Sequence, residues 1–319
     1  MPSKLSFSLT QLEYVLAVQK HGHFAKAAKA CFVTQPTLSM QIQKLEDTLG
    51  TVIFDRSKKP ILMTETGKKL VEQMQSILHE AKKLESITRA GASGKILGEL
   101  TVGIIPTIAP YLIPRLLPVL EQLHPDLHLR LFEMQTHKII DALNDDEIDV
   151  GVLATPLKIT NIHEKPLYWE PFSALCRKNH ALSKLKRVKY SELNSEDIWL
   201  LEEGHCLRHQ VLDVCSLKQK KNSKRKYQFE SGSLETIKNL VNSYGGYTLL
   251  PALATEMLGS HVVLIPFERP IPAREIGLVT RRQHHKSELL GAFEDAILKC
   301  IPESLRKIRQ KDLDVLAVE

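Results

Sequence analysis

The segment Gly204-His205-Cys206-Leu207-Arg208-His209-Gln210 places one cysteine between a histidine and an arginine, and a second cysteine, Cys215, follows eight intervening residues later. A neighbouring cation favours thiolate over thiol, and the thiolate is the reactive form. A second thiol within reach captures the sulfenic acid left by oxidation and closes a reversible disulfide. By residue type alone the segment is a candidate redox switch. A metal site built from His205, Cys206, His209 and Cys215 is the competing chemistry, although the spacing follows no standard zinc pattern.

Five cysteines in all (Cys31, Cys176, Cys206, Cys215 and Cys300) are too few and too scattered for a disulfide framework. Cys31, Cys176 and Cys300 are expected to pack as small apolar side chains. In a reducing compartment any disulfide would be transient, serving catalysis or sensing. The start, Met1-Pro2-Ser3-Lys4-Leu5-Ser6, lacks the apolar core of a secretory signal, and no apolar run is long enough to cross a bilayer. The cytoplasm is therefore the expected compartment. The 319 residues allow two or three compact units, and 43% apolar with 25% charged residues excludes a disordered chain. Charge is unevenly spread. Residues 1–90 hold 13 Lys and Arg against 8 Asp and Glu, a balance of +5 that leaves +1 of the total +6 for the remainder. A polyanion is the partner this implies for the front segment.

What must position the cysteines, and what they control, is a matter of elements. Leu9, Leu12, Val15 and Leu16 repeat at helical spacing up to His21-Gly22, and Phe24, Ala27, Ala28 and Cys31 mark a short second helix. Thr34 suits an N-cap and Pro36 the first turn of a third helix, whose buried face is Leu38, Ile42, Leu45 and Leu49 and whose stop is Gly50. Its other face presents Gln35, Thr37, Ser39, Met40, Gln41, Gln43 and Lys44, side chains suited to base edges in a major groove. Val52–Phe54, a cationic turn at 56–60 and Ile61–Met63 predict a two-stranded wing facing phosphate. A long helix is expected from Thr64 to about Ala90. Its seam of Leu70, Met74, Ile77, Ala81, Leu84 and Thr88 would pair two chains, unless it packs on its own head. Gly91-Ala92-Ser93-Gly94 and Gly98 mark a hinge.

The series Phe24-x-x-Ala27-Ala28-x-x-Cys31-x-x-Thr34-Gln35-Pro36-Thr37-Leu38-Ser39, continued by Ile42, Leu45-Glu46, Leu49-Gly50, Phe54 and Arg56, resembles the LysR-type transcriptional regulator family. The 204–208 segment with Cys215 resembles the hydrogen-peroxide sensors of that family. So do Ile105-Pro106-Thr107 with Pro110-Tyr111, Gln135-Thr136-His137, Ser233–Thr236 and Leu249–Ala254. The resemblance implies an α/β chain. Residues 1–63 would form a winged helix-turn-helix that touches DNA through Gln35, Pro36, Thr37, Ser39, Met40, Gln43, Lys44 and Arg56. Residues 64–94 would form a dimerising linker helix and hinge. Residues 95–319 would form a periplasmic-binding-protein-like effector domain of two lobes, about 95–160 with 268–319 and about 161–267. It further implies promoter DNA, hydrogen peroxide, RNA polymerase and a homodimer or homotetramer as partners, no cofactor or metal, and a regulator rather than an enzyme. A thiol peroxidase or reductase is the alternative class, and a LysR-type regulator answering to a small organic anion is the nearer rival.

The second part supports this with its own pattern. Strands are predicted at 100–105, 127–132, 148–153, 198–201, 246–250, 262–265 and 276–279, with helices at 111–123, 138–143 and after 286. Such alternation predicts parallel sheets covered on both faces. Thr107, Thr136 and the His205-Cys206 pair all follow predicted strands, where ligands bind in open α/β sheets. By resemblance, Cys206 is the peroxide-attacking nucleophile and Cys215 resolves the sulfenate. Thr107 and Thr136 orient the peroxide, His205 supports proton movement, and Arg208 stabilises developing negative charge. A helix over 207–217 would hold the thiols roughly 13 Å apart by helical rise, so a disulfide requires this segment to refold. Two features depart from the family pattern: His209 stands where an acidic residue is usual, and residues 218–226 are strongly basic.

Overall fold

The computed structural model describes residues 6–58, 60–90, 98–193, 197–215, 229–281 and 286–318, and the chain divides into two compact units, Met1–Gly94 and Lys95–Glu319.

In the first unit, α1 (Leu9–His21) starts with a reciprocal cap between Ser8 and Gln11 and stops where Gly22 turns left-handed. Helix α2 (Phe24–Ala30) leads through a tight turn to α3 (Gln35–Leu49), whose first turn is capped by the Thr34 hydroxyl accepting from the Thr37 amide. Strands β1 (Phe54–Asp55) and β2 (Leu62–Met63) form the wing, shorter than the expected three-residue strands. Helix α4 (Glu65–Ala90) follows. Leu12, Val15, Leu38, Ile42, Leu45 and Phe54 make the core, and Val71, Met74 and Leu78 of α4 join it. Met74 is thus packed inside its own head rather than kept for a seam. Seam positions Leu84 and Thr88, the hinge at 91–97 and the basic stretch at 218–226 lie outside the described side chains.

The second unit runs β3 (Gly98–Ile104), α5 (Ala109–Leu123), β4 (Leu127–Glu133), α6 (Thr136–Asn144), β5 (Val150–Thr155) and β6 (Ile162–Arg177). It continues with α7 (Cys206–Val214), α8 (Leu234–Ser243), β7 (Tyr247–Pro251), β8 (Val262–Pro266), β9 (Ile271–Arg281), α9 (Ser287–Cys300), α10 (Glu303–Arg306) and β10 (Leu313–Val315). The strand order is β4-β3-β5-β9-β6-β7, with β8 beside β6 and β10 beside β9.

Here the structure corrects the parallel-sheet expectation. Strands β4, β3 and β5 are parallel, but β9 runs antiparallel to β5 and to β6, and β7 and β8 run antiparallel to β6. The reason is β6, which sequence reasoning missed. Its 16 residues pass from one core to another: Ile162 and Tyr168 belong to a first cluster with Leu112, Val152 and Phe293, while Phe172, Ala174 and Cys176 belong to a second with Trp199, Val211 and Leu249. Each cluster is the core of one lobe. The expected strand at 198–201 is also absent; Ile198 makes a single isolated bridge to Tyr247. The predicted helix at 138–143 is α6, which begins earlier, at Thr136.

Candidate functional site

Two helices of the second unit begin at the same place. Thr136 is the first residue of α6 and Cys206 the first of α7, and Thr136 Oγ1 lies 3.0 Å from Cys206 Sγ. Either atom serves as the donor, so the hydroxyl gives its proton when the sulfur carries charge. Negative charge is favoured at the amino end of a helix, where backbone N–H groups point outward. Cys206 is buried against the first core.

His205 is buried as well. Its Nε2 stands 3.6 Å from the Glu202 carboxylate and 3.5 Å from the Gln135 amide nitrogen. Burial holds the imidazole below its ordinary value, with Glu202 acting in the opposite direction. Gly204 is needed beside it. Its φ of +90° is costly for any side chain, and a Cβ there would come within 3.2 Å of the Gln135 amide. His205 lines a cleft of about 570 Å³ together with Pro106, Gln135, Lys138, Glu202 and Ser233. Cys206, Thr107 and Thr136 are not on its walls.

The remaining predicted residues divide. Arg208 commits its Nη1 to the Leu201 carbonyl at 2.5 Å, so the cation that singled out this segment in sequence is engaged by backbone. Thr107 does not meet Cys206 in any described hydrogen bond. Its hydroxyl accepts from Arg274 Nη1 at 2.8 Å and its carbonyl from Nη2 at 3.2 Å. Arg274 is paired with Glu170 at 2.7 Å, and both are almost wholly enclosed. Sequence reasoning missed Arg274. The one available signal was a lone charged pair, Arg274-Glu275, inside an otherwise apolar strand.

Cys215 closes α7 and packs in the second core, across the lobe boundary from Cys206. Burial pushes its thiol up to about 11, against a weak opposing contact from the Tyr247 hydroxyl at 4.0 Å. Between the cysteines, His209 Nδ1 and both polar atoms of Gln210 are buried with no hydrogen-bond partner among the described residues. All five cysteines are free thiols.

In the first unit, Gln35, Pro36, Thr37, Met40, Gln43 and Lys44 are exposed on α3, with Ser39 half-buried. Arg56 is otherwise occupied. It pairs with Glu46 at 2.8 Å, lies over the Phe24 ring at 5.1 Å and reaches Ser39 Oγ at 3.4 Å. Glu46 also accepts from the Ile53 and Phe54 amides, so the pair ties the wing to α3.

A thiol at a helix start, a hydroxyl beside it and a second, buried thiol at the helix end are an arrangement compatible with stepwise oxidation by a small oxidant. Residues 9–68 match the bacterial regulatory helix-turn-helix protein, lysR family, and residues 93–300 match the LysR substrate binding domain. The hydrogen peroxide-inducible genes activator of Dickeya chrysanthemi is 36% identical over 315 residues, covering 98% of this chain and 99% of that protein. The DNA-binding transcriptional dual regulator OxyR of Escherichia coli is 38% identical over 277 residues, covering 86% and 89%. Among solved structures, a full-length OxyR variant from Pseudomonas aeruginosa is similar with a TM-score of 0.73 and 34% identity, covering 92% of this chain and 99% of that one.

Proposed function

The chain belongs to the LysR family of bacterial DNA-binding regulators, and we propose that it is a transcriptional activator that senses hydrogen peroxide through Cys206 and Cys215. The contact between Thr136 Oγ1 and Cys206 Sγ carries this reading, because it supplies a proton donor at the one sulfur that begins a helix. The Cys206 thiolate attacks one peroxide oxygen. The S–O bond forms as the O–O bond breaks, giving a sulfenic acid and hydroxide, which takes up a proton. Cys215 then attacks the sulfenic sulfur, releasing water and leaving the Cys206–Cys215 disulfide.

In this scheme Thr136 hydrogen-bonds the reacting sulfur or oxygen, and the buried, neutral His205 relays protons between Cys206 and the cleft. Thr107, held by Arg274, contributes a polarised hydroxyl, and Arg208 serves chiefly to fix the start of α7 to Leu201. The disulfide alters the lobe arrangement of a homodimer or homotetramer, repositions the DNA heads on promoter DNA and changes access for RNA polymerase, all in the cytoplasm. The protein turns over once per signal rather than as an enzyme.

Stoichiometric peroxide added to the reduced protein, followed by thiol mapping by mass spectrometry, tests the reading. A Cys206–Cys215 disulfide that forms in the wild type and is lost in Cys206→Ser is expected. No selective reaction at Cys206 would leave a LysR-type regulator that answers to another ligand in the 570 Å³ cleft.

A further inference from the structure

The two lobes touch along one side of the cleft through a set of charged and aromatic side chains that the sensing chemistry does not use. Tyr111 and Arg115 stand on α5, whose Leu112, Leu116 and Leu120 are in the first core. Glu235 and Lys238 stand on α8, whose Leu234, Ile237 and Val241 are in the second. The Tyr111 hydroxyl donates to Glu235 Oε1 at 2.6 Å, and Lys238 Nζ donates to the same oxygen at 2.7 Å. Lys238 also donates to the Glu256 carbonyl at 3.3 Å and lies 5.3 Å from the centre of the Tyr111 ring. The Glu256 carboxylate pairs with Arg115. We propose that Tyr111, Arg115, Glu235, Lys238 and Glu256 form a latch between the lobes, and that refolding of the Cys206–Cys215 segment opens it.

Lys238 is only 6% exposed, so these partners hold nearly all of its side chain. Separating α5 from α8 removes the Tyr111 ring from the enclosed Lys238 ammonium and the Tyr111 hydroxyl from the half-exposed Glu235 carboxylate. Buried charges tolerate a lost partner poorly. These contacts join the two lobes directly, so a change in how the lobes sit must break or remake them.

The latch is also tied to the redox segment. The chain leaves Cys215 and re-enters the described structure just ahead of α8. There the Glu202 amide donates to the Ser231 carbonyl at 3.0 Å. Gly232 packs so closely that a Cβ on it would sit 2.8 Å from Glu202 Oε1 and 3.3 Å from His205 Nε2. Ser233 then caps α8, two residues before Glu235. Moving Cys206 and unwinding α7 must disturb the residues on which the start of α8 leans. The inference rests on the sensing reading for its trigger.

Full-length protein tests it with two readouts, the disulfide formed on peroxide addition and the ratio of operator affinities between oxidised and reduced forms. Glu235→Gln and Arg115→Glu are expected to form the Cys206–Cys215 disulfide as the wild type does. Their reduced forms should take up the oxidised affinity and footprint, shrinking the ratio at least threefold. The reversed pair Arg115→Glu with Glu256→Arg should restore it, which a merely destabilised fold would not do. Tyr111→Phe removes a single oxygen and gives the same test if the charge variants fail to fold. Variants that form the disulfide and keep the wild-type ratio overturn the latch. A wild type that forms no disulfide refutes the sensing reading instead, and removes the latch's trigger with it.

Discussion

Burial shifts the titration of two groups at opposite ends of α7, His205 beside Cys206 and the Cys215 thiol at the far end. His205 is held below its ordinary value by burial, and Cys215 is pushed up to about 11 by the same cause. At neutral pH both shifts favour the uncharged forms, a neutral imidazole and a Cys215 thiol. For His205 the folded value lies below the unfolded one, so its stabilisation is present above the unfolded value and lost as pH falls through the folded value. The urea midpoint of the reduced protein should therefore drop as pH is lowered from the ordinary imidazole range, and His205→Gln should flatten that part of the curve. Parallel curves for the two proteins would show that His205 is not the group responsible. Residue type and position after predicted strands, together with the family resemblance, singled out Cys206, Thr136 and His205 as candidates, and Thr136 does lie against Cys206. Arg274 was not legible. Its partner Glu170 is 104 residues earlier, and nothing local marks an arginine in an apolar strand as paired with it or as the donor to Thr107.

At the scale of the element, α7 is where the chemistry meets the fold. One cysteine begins it and the other ends it, while Leu207, Val211 and Val214 hold it in place. In the proposed scheme a buried Cys215 at the far end of α7 cannot reach a sulfenate on Cys206 while the helix is closed, so opening of α7 would gate the second step. Gln210 is fully buried between the two cysteines, and its amide has no hydrogen-bond partner among the described residues. Val211→Ala removes two buried methyl groups and should loosen α7 by on the order of 2 kcal/mol. Disulfide closure is then expected to quicken by up to roughly thirtyfold, with the initial oxidation of Cys206 unchanged. Rapid acid quenching with mass spectrometry separates the two steps, and an unchanged closure rate would show that helix opening is not the gate. The helices were largely visible in sequence because caps and apolar periods are local: Thr34, Pro36 and Gly50 bracket α3 where expected. Strand β6 was invisible because its pattern changes midway. His163 and Lys165 are exposed near one lobe, whereas Ala174, Leu175 and Cys176 are buried in succession in the other. Trp199–Leu201 misled for the opposite reason: it is buried throughout and bonds to Tyr247 and Thr248 of β7, yet forms only an isolated bridge at Ile198 rather than a strand.

For the whole molecule, sensing is useful only if the head holds DNA by a separate set of contacts, and the charge distribution assigns that task to residues 1–90 with their +5 balance. The exposed face of α3 divides the work. Lys44 is exposed and suited to phosphate, Gln35 and Gln43 are suited to base edges, and Arg56 is held against Glu46 and Phe24 as a brace for the wing. Each phosphate contact contributes about 0.9 to the slope of log affinity against log salt, because it releases a condensed counterion. Lys44→Gln should therefore lower that slope by about one contact, weaken all DNA sequences alike and leave thermal stability unchanged. Arg56→Gln should behave differently: it leaves the enclosed Glu46 carboxylate with only its backbone donors, so it should lower the melting temperature of the head as well as its affinity. Salt titrations of operator and random DNA with both variants distinguish the roles. A Lys44→Gln protein with the wild-type slope would move the phosphate contact to another basic residue of the head, and an Arg56→Gln protein of wild-type stability would return Arg56 to the DNA-contacting set that its place in the sequence first implied.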